Sequence, residues 1–185
     1  YFADLANLPT PEDIIGKKVA IEEFKNVRRS GLIAMRVKSG DSLQWVVPSS
    51  GTDEIILTTE KGQAIRCKEK DVRPMGRNAA GVRGMRLKGQ DTIVGMDVVK
   101  TGAALKNDQL LIVTRNGFGK RTSLAAYKVQ GRGGTGILTA QITDKTGPLA
   151  GARVVDSTLT TNDLIVISQK GQVIRLPLKS VSVLG

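Results

Sequence analysis

The residues of this chain best suited to chemistry are cations at a recurring position: Lys17 and Lys18, Arg66 and Lys68, Lys120 and Arg121, and Arg175, each just beyond a glycine. A second set lies in the stretches that follow, with Lys25, Arg28 and Arg29, then Arg73 and Arg77, then Lys128 and Arg132, and last Lys179. Cations spaced this way suit a polyanion. Each one that neutralises a phosphate releases a counterion, which gives affinity without a preference for base sequence. Any one of them could equally be a solvated strand face that keeps an edge from pairing. The recurrence of the set carries the reading.

Other chemistries find few residues. The chain has no histidine, so the commonest general base and the serine triad are absent. Its single cysteine, Cys67, has no partner for a disulfide or a Cys/His metal site, and reads as a small apolar core residue. No metal ligand set or convergent acid, base and nucleophile can be assembled, so neither a catalytic residue nor a resident cofactor is expected. The glycine-rich stretch Gln130-Gly131-Arg132-Gly133-Gly134-Thr135-Gly136 lacks the Lys-Ser/Thr that completes a phosphate loop. Its glycines would still let backbone amides approach phosphates closely.

Composition agrees with the cation pattern. In 185 residues there are 28 Lys+Arg against 17 Asp+Glu, a formal charge of +11. The cations are uneven, since residues 108–155 hold seven basic side chains against two acidic ones (Asp108 and Asp144). No apolar run is long enough to span a bilayer and no leader pattern opens the chain, so a cytoplasmic protein without a membrane partner is expected. Aromatics are 3% of residues, too few for stacking on single strands to be the main binding mode.

The elements that must hold these cations repeat. Asp53 through Gly62, Asp108 through Gly117, and Asn162 through Gly171 are one phrase written three times, with the closing glycines 55 and 54 residues apart (117 − 62 and 171 − 117). Each is a β-branched run ending in Lys-Gly or Asn-Gly, followed by a run with a cation, the pattern of a β-hairpin. Gly16 through Phe24 aligns with Gly119 through Tyr127 as a further copy. A third run follows at Gly31–Val37, Gly81–Leu87 and Gly136–Ile142, and a fourth at Leu43–Val47, Ile93–Val99 and Ala152–Val155. Four strands in each unit of roughly 50 residues is the pattern of a propeller blade. Ala20–Arg28 could form a short helix, but the last copy places Pro177 at the position of Ala20, so an extended segment is expected. Tyr127, which matches Phe24, Val72 and Val181, is expected to pack between blades.

The repeats divide the chain at 1–15, 16–52, 53–107, 108–161 and 162–185, as a single domain of a longer polypeptide. The opening does not fit: Leu5–Leu8 and Asp13–Ile15 match the end of a preceding copy, so a strand and turn are expected to be missing between Ile15 and Gly16.

Phe24 through Ala34, Val72 through Gly84, and Asn116 through Thr122 resemble the C-terminal domain of the DNA gyrase A subunit, over nearly the whole chain from Gly16. The resemblance implies an all-β, propeller-like β-pinwheel of about six four-stranded antiparallel blades. In that family the basic rim wraps duplex DNA and so supports ATP-dependent negative supercoiling by a type II topoisomerase, an isomerase. The resemblance further implies a non-catalytic, monomeric, nucleoid-associated domain. Its partners would be double-stranded DNA, the B subunit and the rest of the A subunit, with ATP, Mg and the catalytic tyrosine held elsewhere. The family's box, Gln-Arg-Arg-Gly-Gly-Lys-Gly, is absent; Gln130–Gly136 is a degenerate echo, with Gly131 and Thr135 where two cations would stand. That departure keeps the topoisomerase IV A-subunit domain open as an alternative. A propeller that serves as a protein-interaction scaffold is a third reading.

Overall fold

A computed structural model describes residues 2–5, 13–37, 39, 41–102, 106–159 and 161–185, which contain no α-helix. Three hairpins form where the repeated phrase predicts them: β4 (Glu54–Thr59) with β5 (Gln63–Lys68), β8 (Asp108–Thr114) with β9 (Gly119–Ser123), and β13 (Asp163–Ile167) with β14 (Val173–Pro177). Their tight turns place Gly62, Gly117 and Gly171 at φ of 82°, 83° and 77°, a region that side chains disfavour. The fourth runs become β3 (Leu43–Val47), β7 (Ile93–Val99) and β12 (Leu149–Asp156); β7 and β12 lie antiparallel on the first strand of their own hairpin.

The third runs behave differently, because they leave their own unit. β6 (Val82–Arg86) pairs with β2 (Asp13–Lys18) of the preceding unit. In the same way β10 (Val129–Gln130) and β11 (Ile137–Leu138) flank β5, β10 parallel and β11 antiparallel. Sequence repeat and blade are therefore out of phase. Among the described residues the blades are β3-β1-β2-β6, where β1 is Phe2–Leu5, then the sheet of β7, β4, β5, β10 and β11, then β12-β8-β9, then β13-β14.

Two expectations need correction. Gly31–Val37 forms no strand, although it shares the pattern of β6. Residues 20–28 are not simply extended: Ala20 is, at φ −64° and ψ 137°, but Ile21–Phe24 form a 3-10 turn. Such a turn recurs at Glu69–Asp71, Leu124–Ala126 and Leu178–Ser180, and Pro177 is accepted because it precedes the turn in extended conformation. Ile15 and Gly16 both lie within β2.

Strand β4 shows how the blades hold together. All six of its residues are buried, and alternate side chains point to opposite faces. Ile55 and Leu57 pack with Ile14, Ile65 and Met85 toward the first blade, while Ile56 packs with Leu110, Leu124 and Tyr127 toward the third. A hairpin apolar on both faces needs a neighbour on each side. Each such side chain contributes about 1.5–3 kcal/mol when fully covered.

Candidate nucleic-acid interface

The structure divides the predicted cations into two populations with different work. The first group is turned inward. Arg66 is 4% exposed, with Nε donating to Glu54 Oε2 at 2.6 Å and Nη1 donating to the carbonyls of Leu124 (2.8 Å) and Tyr127 (3.1 Å). Arg121 repeats this one blade on: Nε donates to Val181 O at 2.9 Å, Nη2 to Lys179 O at 3.4 Å, and Nη1 to Gln109 Oε1 at 3.1 Å. Lys18 does so one blade earlier, with Nζ 3.4 Å from both the carbonyl and the carboxylate of Glu69. In each case a cation on the second strand of one hairpin holds the 3-10 turn of the next unit. These side chains latch blades together; they are not rim cations, which corrects the reading of Lys18, Arg66 and Arg121 as DNA contacts.

A second latch runs backward from the loops after two of the turns, Glu69–Asp71 and Leu124–Ala126. Arg77 Nη1 donates to Ile33 O at 2.8 Å, and Arg132 donates to Arg83 O at 3.3 Å and, through Nε, to Asp71 O at 3.0 Å. Ile33 and Arg83 hold the same repeat position, two residues beyond Gly31 and Gly81. Arg77 and Arg132 thus also serve cohesion. Lys17 is fully buried and donates to the Arg77 carbonyl. Burial pulls its ammonium below the ordinary lysine value and Arg77 adds to this, against the opposing pull of Glu23.

The other cations face solvent. Arg28, Arg29, Lys68, Arg73, Lys128 and Lys179 are exposed. Lys25 is too, with only a loose 3.9 Å approach to Glu22. Lys25, Arg73 and Lys128 occupy one register, each one residue after the apolar position that ends the turn (Phe24, Val72, Tyr127). Lys120 is half-buried against the Gly185 carbonyl at 3.3 Å, and Arg175 is exposed while paired with Asp163. Several exposed cations lie outside the predicted set; among them Lys70, inside the turn Glu69–Asp71, stands where Lys179 stands in its own turn, and that match was the available signal.

The glycine-rich loop is also committed inward. Gly133 N–H donates to Gly84 O at 2.7 Å and Gly134 O accepts from Arg86 N–H at 2.9 Å, so this part of the loop extends a strand pairing. The Gly133 amide is not a spare phosphate donor, as the sequence suggested. Tyr127 is 3% exposed, with its hydroxyl hydrogen-bonded to Thr139; burial pushes that hydroxyl above its ordinary value, despite the opposing hydrogen bonds from Thr139 and Thr122. Burial likewise raises the Cys67 thiol to about 11. No group of acidic, cysteine or histidine residues among those described could hold a metal, and none of the described helices is long and apolar enough to cross a membrane.

Comparison with known proteins adds an independent line. The model of a family described as the DNA gyrase C-terminal domain, β-propeller, matches residues 15–50, 53–100, 108–156 and 162–185. The DNA gyrase A subunits of Aminobacterium colombiense and Staphylococcus epidermidis are 36% and 38% identical over 169 residues, 91% of this chain. The chain spans only 20% and 18% of those proteins. Among solved structures, a DNA gyrase A C-terminal domain matches with a TM-score of 0.77 at 25% identity, over 100% of this chain and 58% of that one. The C-terminal domain of a DNA topoisomerase IV matches with a TM-score of 0.82 at 22% identity, over 97% and 53%, a likeness of fold alone.

Proposed function

This chain belongs to the DNA gyrase C-terminal domain family, and from that premise we propose that it binds and wraps duplex DNA without sequence specificity. One observation carries the reading: Lys25, Arg73 and Lys128 recur at one register on successive units, exposed to solvent and following the same turn. A charge of +11 surrounds them. Repeating units that each offer phosphate contacts on a common edge favour a bent duplex, since every further contact offsets part of the bending cost.

Within the intact enzyme, the wrapped duplex would be handed to strand-passage machinery in other domains, which hold the catalytic tyrosine, ATP and Mg. The domain would itself be non-catalytic, and its partners would be DNA, the B subunit and the rest of the A subunit. The gyrase A relatives at 36% and 38% identity favour gyrase over topoisomerase IV.

A salt titration of affinity for a long duplex tests the row of cations. Replacing Lys25, Arg73 and Lys128 together with alanine should flatten the slope of log K against log salt by about 2 to 3, near 0.9 for each phosphate no longer neutralised. An unchanged slope in a folded triple variant would remove these residues from the path. Ligase closure of relaxed plasmid on the protein should trap a change in linking number that grows with protein, and no change would leave the scaffold reading.

A further inference from the structure

One internal latch is built differently from its repeats. At the second and third junctions an arginine, Arg66 or Arg121, grips two carbonyls of a turn that opens on a buried leucine, Leu124 or Leu178. At the first junction a lysine, Lys18, meets a turn that opens on Glu69, and this acid is as deeply buried, at 1% exposed. The two changes go together. An arginine fork reaches two carbonyls at once and leaves the leucine to fill the core, whereas a lone ammonium has no fork and is given a carboxylate instead. A buried carboxylate is costly unless its oxygens are hydrogen-bonded.

Glu69 meets that need with the connector between the first two blades. Its Oε1 accepts from Ser49 Oγ at 2.8 Å and lies 3.4 Å from Lys18 Nζ, and its Oε2 accepts from Gly51 N–H at 2.9 Å. Between them, Ser50 N–H donates to Asp53 Oδ2 at 2.9 Å, and the Asp53 carbonyl accepts from Glu69 N–H at 3.0 Å. Ser49, Ser50 and Gly51 lie in the stretch 48–53 that joins β3 of the first blade to β4 of the second. Three successive residues of this connector are thus tied to buried acids of the second blade, and one of those acids is also held by Lys18 of the first. The connector from β12 to β13 is secured in another way. Among the described residues, Thr158 bonds Asp156 two positions back and Ser157 N–H donates to Asn107 O at 3.0 Å, while Leu178 has no side-chain acceptor to offer.

We propose that Glu69 is a positioning residue for DNA, a role that rests on the duplex-binding reading above. By tying the 48–53 connector to the Lys18 latch, it fixes the angle between the first two blades before a duplex arrives. Lys25 and Arg73, which follow the turns of the first two units, are then presented to the phosphates in a set relation. Glu69 is sealed from solvent and touches no DNA itself. A joint that is already ordered adds no ordering cost to binding.

The variant that separates tie from latch is Lys18→Arg with Glu69→Leu, which copies the arginine and leucine of the other two junctions and removes only the hold on the connector. In the intact protein that contains this chain, circular dichroism should match wild type, and the Gly51 amide should exchange with solvent about tenfold faster or more. Affinity for a long duplex should fall about three- to tenfold at every salt concentration, with the slope of log K against log salt unchanged because no phosphate contact is lost. Loss of a negative charge would by itself raise affinity, so a fall does not come from charge. Ser49→Ala, at a half-buried connector position, should shift both readouts the same way by less, and it decides the matter if the double variant does not fold. Faster Gly51 exchange with wild-type affinity overturns the proposal, since Glu69 is then structural alone. An unchanged Gly51 amide overturns it too, because the connector is then held without the carboxylate. A wild-type protein without salt-dependent affinity for duplex overturns the duplex-binding reading itself, and this role with it.

Discussion

Arg66 and Arg175 stand at the same position of two repeats, each facing an acidic side chain twelve residues back, and they live in opposite surroundings. Arg66 is 4% exposed and its guanidinium spans two units; the Arg175 side chain is 75% exposed and serves only its own hairpin. Residue type and spacing set the chemistry a side chain can do. Which chemistry it does is decided by what the next unit lays over it. A cation under a turn becomes a latch, and the same cation without one remains a solvated charge.

Substitution should expose this difference most sharply at the arginines themselves. Arg66→Ala leaves Glu54 buried without its partner and two carbonyls without a donor, at a cost of about 3–5 kcal/mol. Arg175→Ala removes an exposed ion pair and should cost about 0–1 kcal/mol. Urea denaturation of the two variants checks the pair. Equal losses would mean that the carbonyl contacts of Arg66 contribute nothing beyond its ion pair.

A smaller difference is expected at the hairpin turns. Gly62 and Gly117 both have positive φ, so alanine at either should cost about 1–2 kcal/mol in backbone strain. At Gly62 a Cβ would also lie 2.1 Å from Ala140 O, in the run that crosses from the third unit, whereas Gly117 has nothing within 4 Å. Gly62→Ala should therefore cost about 1–3 kcal/mol more. Thermal melts of the two variants that coincide would show that the covering run yields without resistance.

Local signals made the hairpins legible. An alternating β-branched run closed by Lys-Gly or Asn-Gly specifies its own turn, and Gly62, Gly117 and Gly171 adopt the required φ. The third runs were half legible. Gly31–Val37 has the pattern of Val82–Arg86 but forms no strand, whereas Val82–Arg86 pairs with the second strand of the preceding unit. The split among the cations was not legible from composition. Arg66 and Arg73 look alike in sequence, and only contacts with residues some 60 positions away separate them. The twelve-residue spacing that puts Glu54 opposite Arg66 and Gln109 opposite Arg121 does not separate latches from free cations either, since Asp163 stands in the same way opposite the exposed Arg175.

The same contrast between repeats should reappear, at its smallest, in acid. Asp53 and Asp108 occupy one repeat position and shift in opposite directions. For Asp53, burial pushes the carboxyl up, but hydrogen bonds from Lys100 Nζ at 2.8 Å and Ser50 N–H at 2.9 Å outweigh it and hold the group below 3.8. For Asp108, burial and then the charge of Asp156 across the β8–β12 ladder raise the carboxyl above 3.8. A lowered pKa adds stability that is present above the unfolded value and lost as pH falls through the folded one. A raised pKa costs stability at neutral pH, and that cost is relieved as pH falls through the folded value. Acidification should thus first relieve the third blade and then weaken the second. Asp108→Asn should flatten the upper part of the stability curve and Asp53→Asn the lower part, read from urea midpoints between neutral pH and pH ~3. If both variants moved the acid limb the same way, Lys100 would not be holding Asp53 ionised, and the two blades would differ in packing alone.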